Sequence, residues 1–183
     1  MQRLSLLLSV LVICFVTSMQ AQTLAPKPDP DLQKLHVFVG HWTGEVEFKP
    51  GPWGPGSKAV IEETGHMILG GHFLQVQDTW KGSSQQSLWI IGYDPANKNY
   101  STTAYFGGGD TLSGTITCDG NVWSYTSTKK ISLGGKQYSM RLALTPAPDR
   151  MNRLDKIEVS PDDKTWLPFD EEKWTKVKPA PKK

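Results

Sequence analysis

Between Trp42 and Trp174 the chain alternates apolar and polar residues in short runs separated by turn-forming segments. The first run, Gly40-His41-Trp42-Thr43-Gly44-Glu45-Val46-Glu47-Phe48, carries an apolar residue or glycine at every even position and a polar one at every odd position. Successive side chains of a strand point to opposite faces, so Trp42, Val46 and Phe48 share a surface that needs covering while Thr43, Glu45 and Glu47 meet water. Nine further runs follow, at about residues 58–69, 72–80, 86–93, 100–106, 111–118, 122–130, 137–144, 153–159 and 166–176. The links are short and rich in Gly, Pro, Asn and Asp: Gly70-Gly71, Gly107-Gly108-Gly109-Asp110, Asp119-Gly120-Asn121 and Gly134-Gly135 among them. Residues 50–56, Pro-Gly-Pro-Trp-Gly-Pro-Gly, sustain neither ladder nor helix and form a loop around Trp53. Hairpin after hairpin with almost no helical period predicts an all-β fold, a single antiparallel up-and-down barrel of about ten strands. A two-sheet sandwich shares this pattern.

The N-terminus has a different composition. Arg3 precedes an uncharged apolar run over residues 4–16, the layout of a secretory signal peptide. A helix of that length rises roughly 20 Å, short of the roughly 30 Å of bilayer hydrocarbon, so no stable membrane span is expected. Cleavage after Ala21, with Ser18 as a second site, divides the chain into a leader (1–21), a Pro-rich linker (22–30), the barrel (31–177) and a basic tail (178–183). The expected destination is periplasmic or extracellular. Asp31 looks like a helix cap, and Leu32, Leu35 and Val39 follow at helical spacing, so a short helix is expected to close one end of the barrel.

Charge selects no partner. Without Arg3 the chain keeps 19 cationic against 18 anionic residues, a balance of +1 that points to neither nucleic acid nor an anionic membrane. Of the two cysteines, Cys14 leaves with the leader, so the mature domain has no internal disulfide. Cys118 falls on the apolar face of its run with no cationic neighbour to lower its pKa, which reads as an inert, packed thiol.

Candidate chemistry is sparse. His36, His41, His66 and His72 show no His-x-His spacing, and no Cys-x-x-Cys or Cys-x-x-Cys-His occurs, so neither a metal site nor a heme or other cofactor is expected. Glu45 and Glu47 share the face opposite Trp42 and read as a solvated surface. Large flat rings are more informative, because ligand pockets are mainly hydrophobic with few polar anchors. A non-enzymatic barrel binding a small apolar or amphipathic molecule in its interior is the leading expectation, with Trp53, Phe73, Trp89, Tyr105 and Trp123 as lining and Trp53 at the mouth. Two other classes stay open: a hydrolase or isomerase drawing on Glu62, His66 and His72, and a carbohydrate-binding module using surface tryptophans.

Gly40-His41-Trp42, entering the first strand, resembles the Gly-x-Trp opening of lipocalins and the broader calycin group. Joined to Leu69-Gly70-Gly71-His72-Phe73-Leu74, Gly92-Tyr93-Asp94-Pro95 and Ser160-Pro161-Asp162-Asp163-Lys164-Thr165-Trp166, it resembles a family of bacterial calycin-like domains of unknown function, over about residues 32–177. The resemblance implies a calycin-type barrel with Trp42 as a structural plug at the closed end, and it implies no catalytic residue. From lipocalins proper the chain departs in lacking their paired cysteines and a Thr-Asp-Tyr segment.

Overall fold

The structure is a computed structural model and describes residues 27–178. The expected leader, residues 22–26 of the linker and residues 179–183 of the tail lie outside them. Eleven strands follow an N-terminal 3-10 helix (Pro30–Phe38), with a 3-10 turn (Leu69–Gly71) between the second and third: β1 (Gly40–Phe48), β2 (Ser57–Ile68), β3 (Phe73–Trp80), β4 (Gln86–Asp94), β5 (Asn99–Phe106), β6 (Thr111–Asp119), β7 (Val122–Ser127), β8 (Ile131–Leu133), β9 (Lys136–Pro146), β10 (Asn152–Ser160) and β11 (Leu167–Lys176). All pairings are antiparallel, and the order β10-β11-β1-β2-β3-β4-β5-β6-β7-β9 closes on itself through β9 and β10. Ten strands make the ring, as the alternation predicts. The short β8 pairs only with the start of β9.

Closure explains why alternation is so regular: each strand has one face inside the ring and one outside. On β1, Trp42, Gly44 and Val46 are buried while His41, Glu45 and Glu47 are exposed. The same phase holds on β3 for Leu74, Val76 and Asp78, and on β10 for Arg153, Asp155, Ile157 and Val159. Charged residues therefore occupy inward positions, with consequences for the interior described below.

The N-terminal helix is wound more tightly than the sequence suggests. Leu32, Leu35 and Phe38 are its buried residues, and a period of three is the one that eclipses side chains in a 3-10 helix. Its cap is Asp29 rather than Asp31: the Asp29 carboxylate accepts from the Asp31 amide at 2.9 Å. Pro30 takes the first helical position, where its missing N–H costs nothing. Val39, expected to continue the apolar stripe, is extended and leads into β1. The helix closes the end of the barrel at which β1 begins, and the Tyr100 hydroxyl donates to the Asp31 carbonyl at 2.9 Å to hold it there. Trp42 lies directly beneath, 1% exposed, its indole N–H donating to the Phe38 carbonyl at 3.3 Å.

Two apolar clusters pack inside the ring. One joins Leu35 and Phe38 of the helix to Leu74, Ile91, Trp123 and Tyr125, and the other gathers Trp42, Val46, Ile61 and Trp174. Gly44 makes the second possible. It stands opposite Trp174 in the β1–β11 register, and a Cβ there would lie 2.7–2.8 Å from three atoms of the indole ring. That ring is pinned by a hydrogen bond from its Nε1 to Glu172 at 2.9 Å, so it has nowhere to retreat. Gly44→Ala is expected to destabilise the fold by about 1–3 kcal/mol through overpacking, read as a lower urea midpoint at unchanged slope.

Candidate site: a cavity with an acidic wall

The barrel interior holds a cavity of about 230 Å³. Its wall divides by strand. From β4 through β9 it is apolar, with Trp89, Ile91, Leu112, Trp123, Tyr125 and Leu142 among its residues. From β10 round through β1 to β4 it carries Glu63, Asp78, Ser87, Arg153, Asp155, Asp170 and Glu172. Five carboxylates thus face one guanidinium.

Arg153 is the centre of this polar wall. It is 5% exposed, and all its nitrogens are committed. Nη1 and Nη2 donate to the two oxygens of Glu63 at 3.0 and 2.9 Å, while Nε donates to Asp155 at 2.8 and 3.1 Å. Trp174 stacks on the guanidinium, 4.6 Å from ring centre to Cζ, with Trp42 and Phe38 at 5.4 Å. The planar fork of arginine suits this arrangement as no lysine would. Burial works against the charge on Arg153, but Asp155 and Glu63 outweigh it and hold its pKa above the usual value.

Three of the five acids make no direct contact with Arg153, and two of these three, Asp78 and Asp170, keep an oxygen with no partner. Asp78 accepts from the Ser87 hydroxyl at 2.7 Å through Oδ2, whereas its Oδ1 is buried without a hydrogen-bond partner. Burial, reinforced by the neighbouring Glu63, pushes the Asp78 pKa up to about 7. Asp170 also has a buried, unpartnered Oδ1, and burial with the nearby charge of Asp155 raises its pKa. Burial likewise raises Asp155 against the pull of Arg153, and Glu172 against both Arg153 and the indole N–H of Trp174. An interior of this kind keeps protons on some of its acids at neutral pH.

Of the residues expected to line the interior, Trp89 and Trp123 do so, Trp89 standing edge-on to Tyr125 at 5.9 Å and Trp123 to Phe38 at 5.1 Å. Trp53 is at the end opposite the helix, donating to the Lys49 carbonyl at 3.0 Å and packed edge-on to Phe169, a cavity residue, at 5.4 Å. Phe73 and Tyr105 face outward, 36% and 49% exposed. Each is one residue out of phase with its strand's inward set, and the Phe73 ring instead covers Gly92 on the outside of β4. Glu62 and His66 are exposed on the outer face of β2, Glu62 paired with Lys81 at 2.9 Å, and His72 is half-buried beside the turn before β3. None of these three lines the cavity. Cys118 is half-buried against the apolar cluster, and burial pushes its thiol pKa up. Among the described residues no His, Cys, Asp or Glu side chains are grouped so as to hold a metal ion, and no helix is long and apolar enough to cross a membrane.

The polar wall falls outside what the residue types of the sequence suggest, although it leaves a signal in the chain. Asp78 falls in phase with Leu74, Val76 and Trp80, and Arg153 and Asp155 with Ile157 and Val159. A charge on the apolar beat of a strand is a buried charge.

Two expectations follow. Removing Arg153 strands Glu63 and Asp155, so Arg153→Met should cost about 3–5 kcal/mol near pH 8 and recover partly in acid, where the acids take up protons; thermal melts across pH read this. Asp78 has a folded pKa raised above its unfolded one, so the folded state binds the extra proton. Its contribution is full below about pH 4 and is lost as pH rises to about 7. Asp78→Asn should therefore raise stability at pH 8 by on the order of 1–4 kcal/mol and leave it nearly unchanged at pH 4.

The model of the family described as "Protein of unknown function (DUF1579)" matches residues 27–172. No curated protein matches the chain in sequence. Among solved structures, the fold is similar to the crystal structure of Rv2717c from M. tuberculosis, with a TM-score of 0.59 and 12% identity over 82% of this chain and 99% of that one. A protein of unknown function from the DUF3598 family of Nostoc punctiforme aligns over 81% of this chain and 100% of that one, at 7% identity and a TM-score of 0.26. At such identities Rv2717c shows a shared fold alone. The match to the family model spans the barrel from the segment before the helix into β11, and the chain belongs to the DUF1579 family.

Proposed function

We propose that this protein is an exported calycin-type carrier that binds one small apolar or amphipathic molecule inside its barrel. The observation that carries the reading is the interior cavity of about 230 Å³, aromatic and aliphatic along most of its wall. An apolar cavity of roughly 150 Å³ holds a benzene molecule, so the space fits a single ring with a short substituent. Sparse polar groups on one side of an otherwise apolar pocket are what orient a ligand. Trp89 and Trp123 serve as flat contact surfaces, and Trp53, braced on Phe169, stands at the end through which a ligand would pass. Export follows from the N-terminal apolar run, and packing alone holds a mature domain whose one thiol is Cys118.

Native mass spectrometry of the protein isolated from the cells that make it tests both parts. The expected spectrum shows a polypeptide beginning at Gln22, or at Met19 for the second cleavage site, with a small non-covalent adduct that gentle activation removes. A full-length mass would contradict export. An adduct-free protein that also fails to bind added single-ring compounds would contradict the carrier reading.

A further inference from the structure

The acidic wall says more about the ligand than its size. Glu63 and Asp155 are matched by Arg153, and Glu172 accepts from Trp174, which leaves Asp78 and Asp170. Each is more than nine-tenths buried, lines the cavity and has a carboxylate oxygen without a partner. A buried carboxylate oxygen in this condition is costly and is normally hydrogen-bonded. The Arg153 guanidinium is a poor counter-site for an anion, because two carboxylates, Asp155 and Glu63, already more than offset its single charge through three of its five N–H groups.

We propose that the carried molecule is a small organic cation, a primary amine on a one-ring or similarly compact apolar body, whose charge is balanced by the unpaired carboxylate of Asp78, with Asp170 a second open acid of the same cavity. The inference rests on the carrier reading and names its ligand class. An ammonium supplies three donors to oxygens that have none, and charge-assisted hydrogen bonds in a dry site are about twice as strong as neutral ones. Trp80 and Trp89 line the same cavity, and indole is the aromatic ring that attracts a cation best. The same side chains would repel a carboxylate.

Binding is coupled to protons. The groups that face Asp78 are Glu63 on β2, Ser87 and Trp89 on β4 and Arg153 on β10; Asp170 on β11 faces the charge of Asp155 on β10, and Glu172 lies on its own strand. Asp78, with its pKa about 7, must ionise to take the cation, so binding at pH 7 releases protons and affinity falls as the solution is acidified.

The test compares three probes with one body: 2-phenylethylamine, 2-phenylethanol and phenylacetate, titrated calorimetrically and by tryptophan fluorescence. At pH 8 the amine is expected to bind at least tenfold more tightly than the alcohol and phenylacetate most weakly. The amine-to-alcohol ratio should shrink below pH 7 and fall to about one in the double variant Asp78→Asn/Asp170→Asn, whose fold is checked by near-ultraviolet circular dichroism. Titration of the unaltered protein at pH 7 in two buffers of different ionisation enthalpy should show proton release with the amine and none with the alcohol, a readout that needs no variant. Equal binding of amine and alcohol, or tightest binding of phenylacetate, overturns the amine assignment and leaves the carrier reading standing. Absence of binding by all three overturns both.

Discussion

Arg153 and Glu63 join strands that are not neighbours in the sheet. β10 and β2 are separated by β11 and β1, and ninety residues of chain lie between the two partners. A bidentate pair across that gap requires the wall to curve, and Trp42 and Trp174 stack against the guanidinium where it crosses. Gly44 is bare because the Trp174 ring occupies the space its side chain would need. The barrel's closure, the position of the plug tryptophan and the shape of the cavity all meet at this one buried cation. Such a pair contributes little net stability compared with a hydrophobic replacement, but removing one partner is expensive.

That arrangement sets the chemistry of the interior. One guanidinium offsets two of five inward carboxylates directly, and the remainder are left to solve their burial by holding protons or by accepting donors from elsewhere. The apolar clusters occupy the helix-capped end and the β1–β11 wall, and the unsatisfied oxygens and the aromatic side chains share one cavity. A barrel built purely for stability would have placed apolar residues at Asp78 and Asp170, since isosteric apolar pairs are neutral or better in such settings.

The architecture was legible in the chain because closure forces a strict period of two, and Gly, Pro, Asn and Asp punctuate it. The helix was legible in place but not in type: a stripe at Leu32, Leu35 and Phe38 has the three-residue period of a 3-10 helix, and Asp29 and Pro30, not Asp31, mark its start. Aromaticity was a poor guide to the interior. Trp89 and Trp123 lie on inward positions, whereas Phe73 and Tyr105 are one residue off, and phase outranks residue type in deciding which way a strand side chain points. The acids were hidden for the same reason in reverse. Asp78, Arg153 and Asp170 look like surface residues by type, and only their phase places them inside. Which of them pair, across strands distant in sequence, is a property of closure that no local pattern encodes.

The central claim is that the barrel holds buried acids which its single interior arginine does not neutralise. Carboxyl-carbon NMR titration of the ligand-free protein tests this most directly. The account predicts an Asp78 signal that titrates at about 7, far above its ordinary 3.8, with Asp170 displaced in the same direction. Aspartate signals that all titrate in the ordinary carboxylate range would contradict it.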